Sequence, residues 1–319
     1  MLFKAPAKYV WFDGEIVPWE KATIHVFTHA LHYGSGVFEG IRAYQAGDDV
    51  VVFRLQDHIK RMIESAKMYS FNLPYSNQEM CNAVVSLIAK NDFHSSLYIR
   101  PIAFKGLGGI NLDARTTPTS VSIMAFPYAK YFDGGKPGLD ICVSSWRRIG
   151  EPAVPGMAKA CGHYINSVLA RTESAEAGFD EALFLDSHGN VCEGTGENIF
   201  LVKDGMIATP GFSSGILNGI TRQTVMKLIR DLGMPFVVRR IARAELYSCD
   251  EAFFTGTAAE VTPILSIDRK RVGTGKPGEV TSKLKAEYER VVTGLNEKYH
   301  QYLTFVYGTR QYVRATTNS

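Results

Sequence analysis

The sequence predicts an α+β protein built as two domains, and three observations predict it. The chain has 319 residues, and at about 100–200 residues per domain that length allows about two. Strand and helix signals follow one another without the strict alternation of a doubly wound parallel sheet. A stretch rich in glycine and proline, YAKYFDGGKPG at 128–138, interrupts the pattern near the middle. The expected division is a small N-terminal α+β domain over 1–127, a linker over 128–138, a large C-terminal α+β domain over 139–303 and a tail over 304–319.

Taken in order, Tyr9 to Phe12 and Glu15 to Val17 are β-formers around Asp13-Gly14, the signature of a hairpin. Residues 27–40 mix aromatics with glycines, which mark tight turns or close backbone approach. His25, His29 and His32 have helical spacing but no acidic partner in a metal motif, so they are expected in core or loop and no metal is expected. Ile41 to Tyr44 and Val50 to Arg54 pair as strands, and Leu55, Ile59, Met62, Ile63, Ala66 and Tyr69 form the stripe of an amphipathic helix. Ser76 to Glu79 is a capping box opening a second helix to about Lys90. Strands are expected over Ser96 to Phe104 and Thr119 to Phe126. Beyond the linker come a strand from Leu139 and a helix from about Gly162 to Ala177, stopped by Gly178. Two turn-linked pairs of strands follow, then a helix over Ile220 to Leu232 ending at Gly233. Strands at Phe236 to Ile241 and Glu251 to Thr255 flank a short helix, and a long helix is expected from Glu279 to Tyr302.

Composition narrows the function. Hydrophobic residues at 45% and charged residues at 21% are those of an ordinary globular protein. The net charge is only +3, with no basic run, which argues against nucleic acid as a partner. No apolar run approaches the ~18 residues that span a bilayer, and the N-terminus lacks a signal-peptide pattern. The five cysteines are scattered, without a CxxC pair, as expected of reduced thiols in the cytoplasm.

Several residue types together point to an aromatic aldehyde phosphate. Lys159 lies among Ala158, Ala160, Cys161 and Gly162, with no carboxylate within seven residues in sequence to hold it charged. A lysine that loses its proton can join an aldehyde as a Schiff base, although most lysines are simply on the surface. Glu193, flanked by glycine, is a turn carboxylate or the acidic partner that keeps a pyridine nitrogen protonated. Leu217 to Arg222 places free amides at a helix start, where a phosphate is favoured. Gly256 to Ala259 offers a second set of small-residue amides. Arg61 alone reads as a solvated helix charge, and Arg100, within an apolar strand, as either a binding residue or half of a buried ion pair.

The segments YGSGVFEGIR (33–42), HIKRM (58–62), YIRP (98–101), AKACGHYINS (158–167), EGTGENIFLVKDG (193–205), GILNGITR (215–222) and TGTAAEVTPI (255–264) resemble those of the branched-chain amino acid aminotransferases. These are pyridoxal-phosphate enzymes of fold type IV, the D-amino acid aminotransferase-like fold. The resemblance covers roughly residues 8–300. It implies an active site at the domain junction, a homodimer or higher homo-oligomer, and pyridoxal 5′-phosphate as cofactor. It implies transamination of leucine, isoleucine and valine with 2-oxoglutarate by a ping-pong mechanism; D-amino acid transaminase and aminodeoxychorismate lyase are the alternatives on the same fold.

Carried over residue by residue, the resemblance makes Lys159 the lysine that joins the cofactor and moves the substrate α-proton. Tyr164 matches the partner of the cofactor phenol and Glu193 that of the pyridine nitrogen. Arg61, Gly219, Ile220, Thr221 and Thr257 match the phosphate cradle, and Leu217 packs on the ring. Tyr98 with the amides of Thr257 and Ala258 matches the site for the substrate carboxylate. Tyr33, Phe38, Tyr128, Tyr131 and Tyr164 match the aromatic walls, with Gly40 and Arg42 beside them in the substrate pocket. Arg100 matches the receiver of a distal carboxylate. The loop from Leu107 to Asn111 resembles a segment that reaches into a partner subunit's pocket. Tyr128, Cys192 and Asn218 depart from the common family residues, and the 106–115 loop is short.

Overall fold

The computed structural model describes residues 5–128 and 135–308. Tyr131, part of the expected linker and most of the tail lie outside the described residues. The chain opens with β1 (Tyr9–Phe12) and β2 (Glu15–Pro18), joined at Asp13 and Gly14 with φ of 45° and 101°. Two successive positive φ values make the turn that continues the strand twist, which is why Asp-Gly sits there. α1 (His29–Tyr33) and β3 (Gly36–Phe38) follow. Both are too short to show a period in sequence. β4 (Ile41–Ala46), β5 (Asp49–Phe53), α2 (Leu55–Met68), α3 (Asn77–Asn91), β6 (Leu97–Lys105) and β7 (Thr119–Pro127) complete the first half. α3 starts on the expected capping box, Ser76 and Glu79 each accepting the other's backbone N–H.

The second half contains β8 (Leu139–Arg147), α4 (Tyr164–Glu176), β9 (Glu181–Leu185), β10 (Val191–Gly194), β11 (Asn198–Lys203) and β12 (Met206–Thr209). α5 (Ile220–Asp231), β13 (Phe236–Val238), β14 (Glu251–Gly256), β15 (Glu260–Ile267), β16 (Lys270–Arg271), α6 (Glu279–Val292) and β17 (Leu303–Phe305) follow. The long helix expected to Tyr302 is a correction. α6 stops at Val292, Gly294 takes a left-handed φ of 78°, and the chain resumes as a 3-10 turn over Glu297–Tyr302. Apolar spacing carried through the break because Leu295 fitted the stripe, yet it is exposed. The expected tail also begins differently, since Thr304 belongs to β17. The strand expected to Ile241 stops at Val238, and a 3-10 turn at Arg243–Tyr247 stands where a short helix was expected.

Two sheets result. The first has eight strands in the order β17-β5-β4-β6-β7-β1-β2, with β3 added on β6. The second has nine, in the order β10-β9-β8-β15-β14-β11-β12-β13, with β16 on β15. A further pairing of β10 with β11 joins Glu193 to Asn198 and closes six of these strands into a ring. Hydrophobic alternation along β5 explains how the sheets are held together. Val50 and Val52 face a core with Ile59, Met62 and Leu87, while Val51 and Phe53 face another with Phe200, Val225, Leu284 and Tyr288. At ~25 cal/mol per Å² of apolar area, burying each such side chain is worth about 1.5–3 kcal/mol, so this shared core fixes one sheet against the other. Among the described residues no helix is long and apolar enough to cross a membrane.

Candidate active site

A cavity of about 450 Å³ opens between the two sheets. Lys159 reaches it from an extended segment clamped on both sides. Its carbonyl accepts from Phe38 N–H at 3.0 Å, next to a bridge between Val37 and Ala160, and its own N–H donates to Ser65 Oγ of α2 at 3.0 Å. A 3-10 turn at Cys161–His163 then lifts Tyr164 to the first position of α4. The Lys159 Nζ and Tyr164 Oη atoms are thereby brought to 2.6 Å. His163 below them is buried and bonds Tyr69; burial, with Arg148 adding to it, pushes its imidazole down to about 4, so it is neutral at ordinary pH.

Glu193 lies on another wall, where β10 meets β11. Its carboxylate accepts from Arg148 Nε at 2.8 Å, Asn198 Nδ2 at 3.0 Å and Leu217 N–H at 2.9 Å. Arg148 and Asn198 were not singled out from sequence. Arg148 follows directly on a strand end in SSWRRIG, and nothing local separates it from a surface arginine. Beyond Leu217 the chain enters α5 through Gly219, which makes no side-chain cap. The amides of Ile220 and Thr221 are thus left for a ligand. A Cβ at Gly219 would lie 2.0 Å from Asn198 Oδ1, so glycine is required there by close approach. Arg222, in the same turn, points away and donates to Pro210 O at 2.8 Å.

Arg61 projects from α2 toward this helix start, donating from Nη1 to Asn218 O at 2.9 Å. Its Nε and Nη2 grip Glu39 at 2.6 and 2.7 Å, and His58 Nδ1 lies 2.7 Å from the same carboxylate. An ionised carboxylate only accepts, so Nδ1 carries the His58 proton. Burial alone would raise the Glu39 carboxyl, but Arg61 and His58 outweigh it and hold it at about 2. Three of the five Arg61 N–H groups are used, and two remain for a ligand. Sequence reasoning quoted Glu39 and His58 only within motifs and gave neither a role.

The remaining walls come from the first sheet and from the turn after β14. Phe38, Gly40, Tyr98 and Arg100 line the cavity, as do Thr257 and Ala258. A Cβ at Gly40 would meet Tyr98 Oη at 2.2 Å, so Gly40 makes room for that phenol. Arg100 donates from Nη2 to Tyr98 Oη at 2.8 Å, and its guanidinium carbon lies 4.8 Å from the Phe38 ring centre. Its Nε is buried without a partner, and among the described residues no carboxylate pairs with it. Of the sequence-predicted residues, Lys159, Tyr164, Glu193, Arg61, Leu217, Gly219, Ile220, Thr221 and Thr257 also line this cavity.

Three residues expected in the substrate pocket lie elsewhere. Arg42 sits behind the wall, its guanidinium carbon 5.1 Å from both the Tyr44 and Tyr128 ring centres. Tyr128 packs on Tyr98 at 5.4 Å and does not line the cavity. Tyr33 is on a different cavity, with Oη donating to Ile110 O at 2.8 Å, and so is tied to the Leu107 to Asn111 loop. Tyr131 falls outside the described residues. The three histidines of residues 25–32 bond protein groups instead of gathering: His29 faces Ser35 Oγ and Asn111 O, and His32 faces Val26 O.

The profile of the amino-transferase class IV family matches residues 36–267. The chain belongs to the class IV aminotransferases. Relatives of this aminotransferase include the branched-chain-amino-acid aminotransferase of Pseudomonas aeruginosa, 44% identical over 93% of this chain and 97% of that one. Among solved structures, a branched-chain aminotransferase from the archaeon Thermoproteus uzoniensis with norvaline is 46% identical at a TM-score of 0.91, covering 94% of this chain and 100% of that one. A T.th. branched-chain amino acid aminotransferase complexed with N-(5′-phosphopyridoxyl)-L-glutamate is 41% identical at a TM-score of 0.91, covering 95% of this chain and 100% of that one.

Proposed function

We propose that this aminotransferase moves the amino group of L-leucine, L-isoleucine or L-valine to 2-oxoglutarate in two half-reactions that share one site. The Lys159 amine, hydrogen-bonded to Tyr164 in a cavity whose opposite wall is Glu193, carries the reading. The cofactor is pyridoxal 5′-phosphate, and the residues present fit it. Lys159 would take the aldehyde, Tyr164 the neighbouring phenolic oxygen and Glu193 the ring nitrogen. Leu217 would pack on the ring. Arg61, Gly219, Ile220, Thr221 and Thr257 would hold the phosphate, at a helix start that lacks a cap and leaves no space for a Cβ. When bound, the cofactor supplies an electron sink for the carbanion left by loss of the substrate α-proton.

The protein does the rest. Lys159 takes the α-proton and returns it on the other side of the exchange, with Tyr164 orienting the amine. Glu193 is held by three donors, so its charge is fixed in direction before substrate arrives. The Thr257 and Ala258 amides with Tyr98 receive the α-carboxylate. Phe38 and Tyr98 form the apolar wall for a branched side chain, with Gly40 making room for Tyr98 and with Tyr128, itself packed on Arg42, supporting Tyr98. Arg100, which has no acid partner among the described residues, receives the distal carboxylate of glutamate or 2-oxoglutarate. The T.th. relative in complex with a phosphopyridoxyl-glutamate supports glutamate as one of the two partners.

The proposal extends to a homodimer acting in the cytoplasm, in which Tyr33 and the Leu107 to Asn111 loop serve a second copy's site, and to the division of the chain at residues 128–138. Exposed Leu107 and Ile110 beside Tyr33 support the first point, and five cysteines free of disulfides are in keeping with the compartment. Borohydride reduction should trap pyridoxal phosphate on Lys159, and a panel of L- and D-amino acids with 2-oxoglutarate should show turnover of the three branched L-substrates. Preference for D-alanine, or pyruvate release from aminodeoxychorismate, would refute the assignment.

A further inference from the structure

Beside the turn that carries Thr257 and Ala258, the structure buries two carboxyl groups with very little to neutralise them. Glu181 on β9 and Glu197, just before β11, are both almost fully buried. Glu181 is the better provided. Its Oε1 accepts from Ala182 N–H at 2.7 Å and Thr195 Oγ at 2.8 Å, and Arg171 of α4 approaches its other oxygen to 3.7 Å. Glu197 has one hydrogen bond, from Gly196 N–H to Oε2 at 3.1 Å, and no ion pair among the described residues. A buried carboxyl with one donor and no paired cation keeps its proton, and of two neighbouring acids the one with fewer donors keeps it. Burial and then the nearby Glu181 raise the Glu197 carboxyl to about 8; the Gly196 amide and Lys159 oppose the rise and Glu193 adds to it.

Geometry also fixes where this acid lies. A Cβ at Gly194 would come within 2.7 Å of Glu197 Oε2, and one at Gly256 within 3.2 Å of its Cγ. The side chain therefore occupies a slot between two glycines, the second of which immediately precedes Thr257. Glu197 also lines the cavity. The groups that face it are Glu181 from β9, Glu193 from β10 and Lys159 from the segment before α4, with Arg171 of α4 acting through Glu181.

We infer that Glu197 is a positioning residue that stays neutral beside the substrate-carboxylate site, and that its ionisation weakens the binding of any carboxylate there. The inference rests on the assignment of the Thr257 and Ala258 amides to the substrate carboxylate. An ionised Glu197, itself buried, would set a like charge close to the bound anion, with protein groups around it that screen less than water does. Carboxylate affinity should then fall as pH rises, through an acid that belongs to the protein and to neither substrate.

The test uses the holoenzyme with two probes of leucine's shape, 4-methylpentanoate and its uncharged amide, titrated by calorimetry at several pH values. In the wild type, binding of the carboxylate should weaken about tenfold between about pH 7 and pH 9. Binding of the amide should stay level, and Glu197→Gln should hold the carboxylate equally well across the range. Burial raises the Glu181 carboxyl as well, so infrared difference spectra between the same two pH values should show a carboxylic-acid band lost as pH rises through about 8 in the wild type and missing from Glu197→Gln. Absence of that band at pH about 7, or an equal slope for Glu197→Gln or for the amide, would overturn the inference. Failure of the branched-chain reading would look different: the amino acid panel would be silent while the band and the carboxylate slope remained.

Discussion

Two buried arginine–glutamate pairs at the cavity are alike in composition and differ in use. Glu39 is fully buried, does not line the cavity, and gives its carboxylate to Arg61 and His58. Glu193 faces the cavity, with Arg148 paired at 2.8 Å and Asn198 and the Leu217 amide completing the shell. Under the proposed function, the arginine of the first pair is the working end and the acid holds it. Under the same reading, the acid of the second pair is the working end and the arginine holds it. Arg100 sharpens the contrast, because it has neither arrangement and so leaves a cation for an incoming acid.

The largest expected effect falls on the first pair. Glu39→Ala leaves Arg61 and His58 without their shared anion and should lower the unfolding free energy by about 3–5 kcal/mol, read by denaturant titration. An unchanged midpoint would show that the pair does not anchor α2. Next comes Glu193→Gln, expected to cut kcat about 10²–10³-fold for all substrates alike. A stability loss matching that of Glu39→Ala would erase the distinction between the pairs. Arg100→Ala should slow turnover of glutamate about 10–100-fold by removing a charge-assisted contact. Leucine should change only severalfold, so equal losses would remove the distal-carboxylate role.

The most gradual effect is in acid. Glu39, with its folded value held at about 2 against an ordinary 4.5, contributes stability that is complete above the ordinary value and is lost as pH falls through the folded one. The wild type should therefore lose stability between about pH 4.5 and pH 2, with a slope that Glu39→Ala lacks. Parallel slopes would place the acid sensitivity elsewhere.

Local chemistry made most of the secondary structure legible. The Asp13-Gly14 turn, the Ser76 capping box and the α2 stripe each carry their cause within a few residues. What the sequence left unread depends on distant partners. β3 is held by β6 across a long stretch of chain, and the ring closes only where Glu193 meets Asn198. The site divides in the same way. Lys159, Tyr164 and the α5 start belong to recognisable segments, whereas Glu39, Arg148 and Glu197 acquire meaning from side chains that fold against them. The same limit hid the break after α6, since an apolar stripe reports which face is buried and says nothing of where the backbone turns.

β17 gives the N-terminal sheet an unusual dependence on time. Leu303, Thr304 and Phe305 pair with Phe53, Val52 and Val51, and the Arg54 N–H donates to Tyr302 O. A ribosome adds roughly 5–20 residues each second, so β5 waits on the order of ten seconds or more for the strand that covers its edge. Through that interval Val51 and Phe53 lack part of their eventual cover, and the C-terminal ring can be complete before the first sheet is. β17 thus acts as a clasp: the edge of β5 is covered only once that strand has been made and has docked.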